Sequence, residues 1–70
     1  MDRIDVESRM LSSIGFEPDT STLELEFKNG AVWQYFDFPE SLWYEFETAE
    51  SKGKFFHAEI KNQYSEAKVG

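Results

Sequence analysis

The sequence predicts an α+β fold: a three-stranded antiparallel sheet connected as a meander, followed by two C-terminal helices packed on one sheet face. Three observations carry this expectation. Apolar residues alternate through residues 22–27 and again through 31–36, on either side of a Lys28-Asn29-Gly30 turn signal. Beyond Pro39 the apolar spacing changes to that of a helix, with Leu42, Trp43, Phe46 and Ala49 on one face. The chain has 70 residues and no cysteine, so residues 1–70 form a single domain whose one core must be held by packing alone.

The first strand is expected over residues 10–16. Glu17-Pro18-Asp19-Thr20-Ser21 then reads as a loop. In the second strand Leu23, Leu25 and Phe27 lie on one face and Glu24 and Glu26 on the other. The hairpin that follows has two possible registers. A two-residue turn at Asn29-Gly30 would pair Phe27 with Val32, placing Gln34 among the leucines and turning Trp33 and Tyr35 towards the glutamates. A three-residue loop with Gly30 in the left-handed region pairs Phe27 with Ala31, Leu25 with Trp33 and Leu23 with Tyr35. Only this second register gives both strands one apolar face, because a one-residue slip inverts every side chain. It makes Trp33 and Tyr35 core residues rather than exposed base-stacking platforms.

Pro39 suits the first turn of a helix and Glu40 its positive end. Ser51-Lys52-Gly53 breaks that helix, and Ser51 is placed to cap the next, in which Phe56, Ile60 and Tyr64 repeat every four residues. Aromatic residues make up 17% of the chain. Because each buries roughly 150 to 250 Å², a few side chains supply most of the core.

The order of these elements and their motifs resembles the KTSC domain family. The likeness rests on Arg3, on Val6, Ser8, Leu11, Gly15 and Phe16, and on Leu23, Leu25, Phe27 and Gly30 of the hairpin. It continues through Trp33-Gln34-Tyr35, Phe38-Pro39, Ser51-Lys52-Gly53-Lys54-Phe55-Phe56, Ile60 and Tyr64. Trp33 stands where the family's central Y-x-Y motif has its first Tyr, and His57 where an Asn is expected. The resemblance implies a domain found at the C-terminus of some lysyl-tRNA synthetases and alone in small bacterial and phage proteins. Its function is unassigned, with RNA binding suggested by the synthetase context.

A formal charge of -7 opposes nonspecific binding to nucleic acid or to anionic membranes. The charge is uneven. Residues 1–50 hold 12 acids against Arg3, Arg9 and Lys28, whereas residues 51–70 hold Glu59 and Glu66 against four lysines. The opening residues have no apolar signal region and no stretch is long and apolar enough to span a bilayer, so a cytoplasmic protein without membrane partners is expected.

Catalytic chemistry has little to work with. There is one histidine and no cysteine, nucleophile elbow or Gly-rich phosphate loop, and nothing identifies a group to orient His57 as a base. His57 and Glu59, two apart on a helix, point away from each other, which argues against a metal site. No cofactor is expected. Carboxylate pairs at Glu24/Glu26 and at Glu45/Glu47 fall on the outer sheet face and on the solvated side of the first helix.

The candidate ligand surface is therefore Lys52, Lys54, Phe55, His57, Lys61 and Tyr64, where cations interleave with aromatic rings as phosphates and unstacked bases require. Phe55 lies off the core stripe and is expected to be exposed. The reading is a noncatalytic binding module for RNA or a nucleotide-like ligand. A second reading is a partner protein with a basic surface, drawn to an acidic sheet face around Glu24, Glu26 and Asp37; a small hydrolytic or transfer enzyme ranks last.

Overall fold

In the computed structural model, which describes residues 1–70, the turn chemistry around Gly30 sets the frame of the sheet. Gly30 has φ of 92°. The Phe27 N–H donates to Ala31 O at 2.9 Å and the Gly30 N–H to Phe27 O at 2.9 Å, closing the three-residue loop. Asn29 Oδ1 accepts from the Ala31 N–H at 3.0 Å. Leu25 consequently faces Trp33 and Leu23 faces Tyr35, the register that keeps the apolar residues together.

These two strands are the centre of a larger sheet than expected. In chain order the strands are β1 (Ile4–Asp5), β2 (Leu11–Glu17), β3 (Thr22–Phe27), β4 (Val32–Tyr35) and β5 (Glu66–Lys68). They form one antiparallel sheet in the order β1-β2-β3-β4-β5. Five strands thus replace the predicted three, both extra ones being edges. β1 is too short to show alternation, and Glu66-Ala67-Lys68 is made of helix-forming residues. Their pairing comes from the open edges of β2 and β4, whose backbone groups need partners.

Along β2 the register shifts between Leu11 and Ser13, leaving Ser12 as an extra residue. Strict alternation would send Leu11 and Ile14 to opposite faces. The bulge turns both inward, and both are fully buried.

The α1 helix (Glu40–Thr48) begins after Pro39, and Ala49 ends it in an extended conformation. The α2 helix (Lys52–Phe55) is capped by Ser51, whose Oγ accepts from the Lys54 N–H at 3.2 Å. It runs directly into a π-helical turn, Phe56–Ile60, where the Lys61 N–H donates to Phe56 O at 2.8 Å. Here the second helix ends. Asn62, at φ of 63°, helps redirect the chain towards β5, so Tyr64 lies in a loop rather than on a third helical repeat.

Leu11, Ile14, Leu23, Leu25 and Tyr35 of the sheet meet Phe38, Phe46, Phe56 and Ile60 in one core. Phe56 is the central contact, its ring 5.4 Å from Phe27 and 6.0 Å from Tyr35. Tyr35 is buried as the register predicts, whereas Trp33, on the same face, is only half-buried and packs against the margin of the core.

Candidate functional site

The connection before β2 and the start of α2 face each other across a cleft of about 470 Å³. Ser8 shapes one wall. Its Oγ accepts from the Met10 N–H at 3.1 Å and from the Leu11 N–H at 3.2 Å, which fixes the turn into β2. Gly53 forms the opposite wall, and a Cβ placed there would lie 3.9 Å from Ser8 Oγ and 3.8 Å from Met10 Cβ. Both are ordinary van der Waals distances, so the two segments come close together at this end of the cleft.

Arg9, Lys52, Lys54 and His57 line this cleft, together with Glu7 and Glu50. Lys52 Nζ donates to Ala49 O at 2.6 Å, which anchors its charge at the end of α1. Arg9, Lys54 and His57 are exposed. The protein has one ion pair, between Arg3 and Glu24, so none of the cleft cations is neutralised by direct contact with a carboxylate. Three permanent cations against two carboxylates give the cleft a local excess of positive charge within an acidic protein.

The acidic sheet face is arranged differently from the sequence expectation. Glu24 is 7% exposed. Its Oε2 accepts from Arg3 Nη1 at 2.6 Å and its Oε1 from Gln34 Nε2 at 2.8 Å. Ser13 Oγ accepts from Arg3 Nε at 3.0 Å and donates to Glu26 Oε1 at 2.9 Å. The two glutamates therefore belong to an internal polar network, and the expected acidic patch around Glu24, Glu26 and Asp37 is not a free carboxylate surface. Arg3, supplied by the segment leading into β1, makes the difference.

The KTSC domain family model matches residues 7–64. The chain belongs to the KTSC domain family. It is 40% identical over 58 residues to a lysine–tRNA ligase of Nostoc sp., a match covering 83% of this chain and 10% of the ligase. A protein of Stutzerimonas stutzeri, described only as uncharacterized, is 33% identical over 64 residues, 91% of this chain and 90% of that one. Among solved structures, a KTSC domain protein from Yersinia pestis superposes with a TM-score of 0.93 at 38% identity, covering 99% of this chain and 97% of that one. The chain thus spans about a tenth of the length of the ligases it matches. No helix is long and apolar enough to cross a membrane.

On this KTSC domain the cleft gathers only half of the residues singled out from the sequence. Lys52, Lys54 and His57 line it, whereas Lys61 is exposed elsewhere. Tyr64 is half-buried with its ring 5.1 Å from Phe38, and burial, then the charge of Glu59, pushes its hydroxyl pKa up. Phe55, expected to be exposed, is half-buried and stacks on Phe46 at 5.1 Å and 25°. The helix turns it into the gap beside α1, so it extends the core. Sequence reasoning missed Arg9 and the facing of Ser8 and Gly53 as parts of one site. The only signal was that Ser8 and Ser51-Lys52-Gly53 both belong to the family pattern.

Proposed function

We propose that this KTSC domain is a noncatalytic binding module that receives a phosphate-bearing ligand, single-stranded RNA or a nucleotide-like fragment of it, in the cleft between Ser8 and Gly53. The observation that carries the reading is the convergence there of Arg9, Lys52 and Lys54, with His57, none of them in an ion pair. Lys52 is already fixed, which lowers the side-chain entropy lost when a phosphate is bound. Arg9 and Lys54 supply exposed donors, one from each wall. The ligases that share this segment act on a tRNA by name, which favours RNA over other phosphorylated ligands. Ligation itself is not carried over to a segment one-tenth of the enzyme. The domain is expected to act in the cytoplasm.

The test is an amide NMR titration of the labelled domain with a pool of short single-stranded RNAs at low salt. Shifts centred on residues 7–10 and 50–57 are expected, with affinity lost in Arg9→Glu and Lys54→Glu variants that keep the wild-type spectrum elsewhere. Each phosphate contact removed should flatten the salt dependence by about 0.7 in log–log slope. An unperturbed spectrum, or shifts indifferent to both substitutions, would remove RNA from this cleft.

A further inference from the structure

The α1 helix presents a second surface, far in character from the cleft. Glu40, Trp43, Tyr44 and Glu47 stand at i, i+3, i+4 and i+7, which places them together on one helical stripe. Two carboxylates therefore frame two aromatic rings. Tyr44 is 55% exposed, the one aromatic ring among the protein's four exposed large hydrophobic residues. Its hydroxyl donates to Glu40 Oε2 at 3.1 Å, which holds the ring over the first turn. Trp43 is half-buried, stacked on Phe16 of β2 at 5.7 Å and 17° and edge-on to Phe46 at 6.3 Å. The stripe is thus rigid on its inner side and open on its outer one. Glu40 and Glu47 both raise the pKa of the Tyr44 hydroxyl, the hydrogen bond it donates to Glu40 most and the charge of Glu47 least.

No cation of the chain neutralises this stripe, because the protein's one ion pair is Arg3–Glu24. Nor does the helix carry any basic residue in its last turn. An exposed Tyr flanked by unpaired carboxylates is chemically complementary to a guanidinium, whose planar face stacks on a ring while its N–H groups reach carboxylate oxygens. We propose that this face of α1 is a docking surface for an arginine-containing, basic segment of a partner protein. Arginine stacks on Tyr44, its N–H groups are shared by Glu40 and Glu47, and its alkyl stem lies along Trp43. The carboxylates repel nucleic acid and anionic lipid, leaving a basic peptide as the occupant that the charge selects. The surface does not depend on the cleft and stands or falls separately from the RNA reading.

The experiment is an NMR titration of the whole domain, including the Trp43 indole N–H, with a short capped peptide carrying two arginines, against the same peptide with citrulline in their place. Shifts confined to α1 and Phe16 are expected for the arginine peptide alone. Tyr44→Ala should weaken binding about two- to fivefold, and the double variant Glu40→Gln, Glu47→Gln about tenfold. Tyr44→Phe keeps the ring and should retain most of the affinity. Glu40 and Tyr44 are exposed, and the variants' spectra verify their fold. Equal binding of the citrulline peptide, or unchanged affinity in Tyr44→Ala and in the double variant, would overturn the proposal. Concentration-dependent shifts that link α1 with Arg9 and Lys54 in the absence of peptide would overturn it in favour of a second copy of this chain.

Discussion

Arg3 crosses the outer face of the sheet to Glu24, its Nη1 2.6 Å from Oε2, while its Nε donates to Ser13 at 3.0 Å. This contact explains how so short a strand holds its place. β1 offers only the pairs Ile4↔Ile14 and Asp5↔Ser13, too few backbone bonds to fix an edge without side-chain help. The Glu24 side chain is 9% exposed and depends on Arg3 and Gln34 for its hydrogen bonds. Arg3→Met should therefore lower unfolding stability by about 1 to 3 kcal/mol, chiefly by stranding a buried carboxylate. Adding Glu24→Gln to that variant should restore part of the loss. Urea denaturation of the two single variants and the double one measures the coupling, and additive losses would show that the pair contributes nothing of its own.

Gly15 lies beneath the same segment. A Cβ added there would stand 2.6 Å from the Asp2 carbonyl oxygen and 3.0 Å from Arg3 Cγ, so backbone rather than a flexible side-chain tip would have to move. Gly15→Ala is expected to lift residues 2–5 from β2 and to separate Arg3 from Glu24, costing about 1 to 3 kcal/mol. Its signature is local. The Val6 amide, which donates to Ser12 O at 3.1 Å, should lose protection from hydrogen exchange while the β3–β4 amides keep theirs.

What the sequence made legible was what had only one consistent solution. The β3–β4 register follows from pairing three apolar residues with three others across a Gly30 loop, since the alternative buries Gln34. Ser51 announces a cap because its hydroxyl precedes a helix start, and it does cap. The illegible parts depend on partners distant in the chain. Glu24 reads as a solvent-facing strand residue until Arg3 covers it. Tyr64 reads as a third helical repeat until the π-helical turn ends the helix at Ile60. The cleft brings Ser8 and Arg9 to Lys52 and Gly53 through the tertiary fold alone, and no local pattern encodes that meeting.

The clearest of these long-range dependencies is β5. Its backbone completes the edge of β4: the Phe36 N–H donates to Ser65 O at 2.9 Å, Val69 N–H to Val32 O at 2.8 Å and Val32 N–H to Gly70 O at 3.0 Å. It also flanks Trp33, which pairs with Lys68. Deleting residues 65–70 should cost about 2 kcal/mol or more, since several ladder bonds are exchanged for water on a strand that becomes an open edge. Amide exchange at Val32 and Phe36 should accelerate and Trp fluorescence shift to the red. An unchanged denaturation midpoint would mean that β5 rests on the sheet without supporting it.

Tyr35 gives the fold a pH limit on the alkaline side. Burial, followed by the charge of Glu66, pushes its hydroxyl pKa from the ordinary 10.0 up to about 12. The folded protein therefore holds the neutral phenol where the unfolded chain would already have ionised. Stability from this group is complete below pH 10.0 and drains away as the pH rises towards 12, at most about 3 kcal/mol across the window. Tyr35→Phe should flatten that decline while leaving Phe56, 6.0 Å away, with an aromatic neighbour. Some alkaline slope will remain, because burial also raises the pKa of Tyr64. Denaturation midpoints measured from pH 9 to 12 in both proteins decide the matter, with absorbance at 295 nm following tyrosinate formation. Identical slopes would place the sensitive phenol elsewhere, whereas a shallower slope in Tyr35→Phe assigns it to the β4 residue that faces both Leu23 and Glu66.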